Sequence, residues 1–211
     1  MVSADRGQAF TLEGFVAALL LLATVAFVVQ ATAVTPLTES TSSQHAETQT
    51  TAMVDGVLDA AAANGSLQPT LLYWNESTGA FHGAETTGAY TNCEAPTAFG
   101  RLLSRSLFDQ GFACSVNVRY LNASTGYLNA STGLQLETQR LVYSGEPSDN
   151  AVRAIRAVTL YDDDRLLDAS GDPTNTTLAA AGANGTFYTP DAAPSSPVYA
   201  VVEVEVIVWR A

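Results

Sequence analysis

Apolar residues crowd the start of this chain and then give way to shorter alternating patterns. From Gly14 to Leu37 no residue is charged, and Phe15 to Val29 reads FVAALLLLATVAFVV. A bilayer core takes roughly 20 mostly apolar residues as a helix. Backbone polar groups in lipid must pair within their own segment, so a helix is the state this stretch predicts there. Thr38 to Thr51 is rich in Ser, Thr and Gln, and AMVDGVLDAAAANG follows, with Met53, Val57, Leu58 and Ala61 at helical spacing. Asn64-Gly65 reads as a helix stop. The pattern predicts that the N-terminal helix breaks near Pro36 and continues outward to about Ala63. The alternative is a polar linker followed by a short helix.

Beyond Gly65 the periodicity changes. LLYWNESTGAF (Leu71 to Phe81) precedes a Gly/Thr-rich loop that reaches Ala95. Thr97 to Gln110 places Phe99, Leu102, Leu103 and Leu107 on one face of an amphipathic helix, and Gly111 ends it. Strand-like segments follow over Ala113 to Leu121, Leu134 to Tyr143, Val152 to Tyr161 and Pro197 to Trp209. The last is the clearest: Val202, Val204, Val206 and Val208 share one face, Glu203 and Glu205 the other. Between two of the strands YLNASTG occurs twice in tandem, Tyr120 to Gly126 and Tyr127 to Gly133. Two copies are too few for a solenoid, and an elongated hairpin tip tolerates such an insertion. The expected fold is α+β: a long hydrophobic helix, then a small antiparallel β-sheet domain with one short amphipathic helix. The expected parts are a helix over residues 8–37, an extension or stalk over 38–66 and a β-rich domain over 67–211.

The flank of the apolar run bears on its role. A secretory signal wants a positive n-region, whereas the residues here include Asp5, Arg6 and Glu13 and carry no net positive charge. Glu13 abuts the apolar run, where an unpaired carboxylate is costly beside lipid. The string Arg6-Gly7-Gln8-Ala9-Phe10-Thr11-Leu12-Glu13 resembles the processing region of type IV pilins and archaeal pilin-like or pseudopilin-like proteins. RGQAFTLEGFVAALLLL, LLYWNESTG and RLVYSGEPSDNAV together look like a haloarchaeal pilin-like family. The resemblance implies a leader over residues 1–7, removed by a prepilin-type peptidase between Gly7 and Gln8. It implies that Glu13 pairs with the freed amine of a neighbouring subunit and sets the axial register. It further implies other pilin-like subunits and a membrane assembly machine as partners. In this chain Gln8 and Ala9 stand between the glycine and the phenylalanine, unlike bacterial pilins. Two other readings stay open: an uncleaved signal anchor, and a secretory signal cut after Ala31-Thr32-Ala33.

Charge narrows the partners. The net charge is −12, and all nine basic residues are arginine. Phosphate binding needs clustered cations, so nucleic acid is not an expected partner. Acid-rich, lysine-free composition suits a protein kept hydrated in strong brine, where salt screens self-repulsion. Cys93 and Cys114 are too few for a metal cage and too far apart for a redox CxxC, and an exported domain could join them as a disulfide. Six N-x-S/T sequons start at Asn64, Asn75, Asn122, Asn129, Asn175 and Asn184, where nine asparagines at this Ser/Thr content give about two by chance. The excess points to N-glycosylation and a surface location.

No catalytic, cofactor or metal site is expected. Asp162-Asp163-Asp164 lacks the alternating spacing of a calcium loop and reads as a solvated turn. His45 and His82 lack metal-ligand spacing, and the sequence holds no nucleophile elbow, phosphate loop or HExxH. Three functions remain in view. One is a structural subunit of a pilus-like surface filament or related secretion apparatus. The second is a singly anchored cell-surface glycoprotein acting as a binding module, and the third an enzyme released after Ala33. The first two place a single-pass span in the membrane with most of the chain outside.

Overall fold

A computed structural model describes residues 4–84, 88–122 and 135–210, with side chains from Leu12 onward except those of 31–44, 46 and 135. The chain divides into two compact units, Met1–Thr48 and Gln49–Ala211. Helix α1 runs from Ala4 to Ala63. The break expected near Pro36 is absent, because the helix is continuous through that residue. A proline removes one donor and displaces one carbonyl, and the hydrogen bonds on either side of it remain available.

The second unit begins at Gln49 and so takes in the end of α1. The reason is burial: Val54, Val57, Leu58 and Ala61, near the end of α1, belong to the hydrophobic core. Their spacing gives one apolar stripe, which is the condition for a helix to pack on a sheet. Asp59 on the same stretch pairs with Arg156.

After α1 the chain makes a short helix α2 (Leu67–Leu72) and a hairpin of β1 (Trp74–Asn75) and β2 (Ala80–Phe81). Helix α3 spans Ala98–Ser106, and its N-cap Thr97 accepts a hydrogen bond from the Gly100 amide. A 3-10 turn, Phe108–Gln110, ends at Gly111 with φ 80°, a left-handed conformation suited to glycine. The main sheet comprises β3 (Phe112–Asn122), β4 (Gln135–Val142), β5 (Val152–Tyr161) and a C-terminal strand. Between β5 and that strand lie β6 (Arg165–Leu167), β7 (Pro173–Thr177) and α4 (Leu178–Ala183). The C-terminal strand, β8, runs Val198–Arg210.

The spatial order is β4-β3-β8-β5, antiparallel throughout, so the last strand is central. On its inner face Val202, Val204, Val206 and Val208 are buried with Val116 and Val118 of β3 and Ala154 of β5. A ring cluster of Trp74, Phe81, Tyr90, Tyr120, Phe187, Tyr188 and Tyr199 fills part of the space beside them, with neighbouring centroids 4.2–6.4 Å apart. The fold is α+β: a long N-terminal apolar helix, then antiparallel sheets with a few short helices.

Candidate functional site

The N-terminal apolar segment is chemically simple. Leu12–Gln30 is 19 residues long, and none of it is buried within the structure. At about 1.5 Å per residue a helix of this length approaches the hydrocarbon thickness of a bilayer. Its one hydroxyl, on Thr24, is satisfied internally by donating to the carbonyls of Leu20 (3.0 Å) and Leu21 (2.8 Å). That removes the cost of placing a bare hydroxyl in lipid. One apolar helix of this kind is compatible with a single membrane span or a signal sequence. Glu13 is exposed at its N-terminal end. Gly7 and Gln8 lie within α1, and their side chains fall outside the described residues.

The sequon asparagines occupy different settings. Asn64 is exposed in the turn after α1, and its Oδ1 accepts from the Ser66 amide at 2.9 Å. Asn75 is half-buried in β1, and its Oδ1 accepts from the Ser77 amide at 3.0 Å. Neither bond uses the amide nitrogen that would carry a glycan. Asn175 in β7 and Asn184 at the C-cap of α4 are exposed. Asn122 differs, because its Nδ2 donates to the Glu137 carboxylate. Asn129 and most of the tandem repeat lie outside the described residues.

Cys93 and Cys114 form a disulfide with Cα atoms 5.7 Å apart. It ties the loop before α3 to the inner side of β3, and both cysteines are fully buried. Cys93 and its neighbour Asn92 have φ near +59° and +56°, uncommon for residues with a side chain.

The remaining polar residues singled out in the sequence serve the fold. Asp164 accepts from Gln68 Nε2 and from the Tyr161 amide, both at 2.7 Å, so it closes the turn after β5. His82 Nε2 lies 3.0 Å from the Leu167 carbonyl, with its ring 5.0 Å from that of Tyr73. His45 is exposed. Among the described residues no three His, Cys, Asp or Glu side chains gather in a way that could hold a metal ion. An open cavity of about 320 Å³ is lined by Pro69, Tyr73, Thr97, Arg101, Leu167 and Gly171.

One constellation escaped the sequence reading. Glu205 sits on the face of β8 opposite the valines, where alternation predicts an exposed side chain, yet the residue is only 5% exposed. Its Oε1 lies 3.5 Å from Arg119 of β3 and 3.2 Å from Arg153 of β5, and its Oε2 accepts from Asn117 Nδ2 at 3.0 Å. Glu203 keeps half its side chain in solvent, 3.8 Å from Arg119. The cause is tertiary, because a central strand receives long side chains from both neighbours, and their stems cover the shorter glutamate.

No curated protein and no solved structure matches the chain. A family model covers residues 6–208, nearly the whole sequence. On that match, the chain belongs to the family of unknown function DUF7288.

Proposed function

We propose that this protein is a structural subunit of a pilin-like assembly, seated in a membrane by Leu12–Gln30 and carrying its folded unit outside. The observation that carries the reading is α1. Its stretch Leu12–Gln30 is apolar and unburied, whereas its last turns supply part of the core of the folded unit. A helix with a bare apolar stretch needs lipid or other helices around it. Lateral packing of such helices is how a filament core would form. Glu13 beside that stretch favours the assembly, since a neighbour's N-terminal amine would neutralise it. The Gly7–Gln8 string supplies the matching cut. No catalytic role is assigned.

A singly anchored surface glycoprotein is the second reading. Exposed Asn64, Asn175 and Asn184 support it, and they are equally compatible with a glycosylated filament subunit.

The mass of the mature N-terminal peptide separates these. A start at Gln8 is the expected result. An intact Met1 or Val2 would favour the plain anchor, and a start at Val34 would favour a released protein.

A further inference from the structure

The outer face of the four-stranded sheet differs from the rest of the surface in three respects. The first is hydrophobicity. Among the described residues outside the apolar span, the exposed large hydrophobics are Phe108, Leu121, Leu136, Ile155, Tyr161 and Val201. Leu121, Leu136, Ile155 and Val201 lie on this face, as the strand registers place them. Val201, at 54% exposed, is the most open of them. Clustered apolar side chains on a soluble surface mark an interaction site, whereas single ones need no explanation.

The second respect is charge. Among the described residues the strands present three arginines on this face, Arg119, Arg140 and Arg153, against two acidic residues, Glu203 and Glu205. It is a locally cationic patch on a chain of net charge −12. Glu205 consumes part of two guanidinium groups, and Arg153 stays 60% exposed despite that contact. The third respect is modification. None of the five described sequon asparagines lies on the face: Asn122 belongs to β3, but its register puts it on the opposite side from Leu121. Glycans at the other sites would leave this surface bare.

We infer that this face docks the acidic surface of a second copy of the same chain, in a head-to-tail contact. Charge complementarity argues for the occupant. The densest acidic run, Asp162, Asp163, Asp164, Asp168 and Asp172 with one cation, Arg165, among them, follows β5 into the β6–β7 hairpin and carries a net charge of −4. That hairpin is held on the helix side of the sheet, by Tyr73 donating to the Ala169 carbonyl at 2.7 Å and by His82 against Leu167. Cationic face and acidic hairpin therefore lie on opposite sides of one folded unit. Two cationic faces brought together would repel, whereas face against hairpin attracts, and such a heterologous contact propagates along a filament. The apolar side chains matter in salt, because ion pairs shielded from solvent are screened far less than open ones.

The inference rests on the subunit reading for its biological setting, yet its test is separate. A photo-crosslinking residue is placed at Val201 in the full-length chain in membranes, and crosslinked peptides are identified by mass spectrometry. The expected product joins Val201 to the Asp162–Asp172 segment of another copy. Reversing Asp163 and Asp172 together (Asp163→Arg with Asp172→Arg) should reduce that product about tenfold, the loss of two contact charge pairs. Both aspartates are exposed, and circular dichroism checks that the variant folds. Crosslinks to a different protein, to another part of a second copy, or to none would overturn the inference. So would an undiminished product in the folded charge-reversed variant. Filaments with a Gln8 N-terminus but no Val201 crosslink would sink this contact and leave the subunit reading standing. The Val201 product with an intact Met1 would do the reverse.

Discussion

Several single residues in the folded unit are fixed by neighbours distant in sequence. Gly182 lies inside α4, where an added Cβ would stand 2.5 Å from the Tyr199 hydroxyl oxygen. That hydroxyl donates to the Thr189 carbonyl at 2.7 Å, so Tyr199 cannot yield without losing a buried bond. Gly182→Ala should therefore destabilise the protein by about 1–3 kcal/mol, read from urea unfolding, even though alanine favours helix over glycine. Tyr120 offers a pH test. Burial, and then its hydrogen bond to Glu137, push its hydroxyl up to about 12. A group whose folded pKa exceeds its unfolded value near 10 contributes stability below pH 10, and that contribution is lost as pH rises toward 12. Burial also raises Tyr90, Tyr188 and Tyr199. Phenolate absorbance should thus lag behind that of free tyrosine and rise together with loss of near-UV circular dichroism. A titration with most tyrosines ionising near 10 in the intact fold would contradict this.

At the scale of elements, the disulfide and the caps decide how the middle of the chain is held. The Cys93–Cys114 link closes a loop with a sequence separation of 21 around α3. Closing a loop of that length restricts the unfolded chain by about 3 kcal/mol. Replacing both cysteines by serine should cost a comparable amount, measured as a lower denaturation midpoint with the slope nearly unchanged. Helix α3 was readable because Phe99, Leu103 and Leu107 recur at helical spacing between Thr97, its N-cap, and Gly111. Strands β3, β4, β5 and β8 were readable from alternation. By contrast α2 contains Pro69, α4 is LAAAGA, and β7 is the polar PTNTT. None is long or periodic enough to announce itself: α2 and α4 owe their conformation to packing, and β7 to its pairing with β6. Leu67, Leu71, Leu166, Leu178 and Ala181 are all buried in the shared core.

For the whole molecule, net charge sets the response to solvent. With −12 on 211 residues and no lysine, self-repulsion opposes compaction when salt is low. Lowering salt from molar to millimolar should lower the melting temperature of the folded unit, because the Debye length grows from about 3 Å to well over 10 Å. A melting temperature independent of salt would count against adaptation to brine. The Glu205–Arg119 contact should change least over that range, since both side chains are largely shielded from solvent.

Some properties of this protein are settled by local pattern. An uncharged run from Gly14 to Leu37 dictates an apolar helix, and alternating valines from Val202 to Val208 dictate a strand with one buried face. Both follow from periodicity, which depends only on neighbours in sequence. Other properties needed the tertiary structure. Pairing order made the last strand central, and centrality buried Glu205 beneath Arg119 and Arg153. Register gathered Leu121, Leu136, Ile155 and Val201 from four strands onto one face, although their sequence positions share no common pattern. Such juxtapositions arise from contacts between segments far apart in the chain, and no local periodicity encodes them.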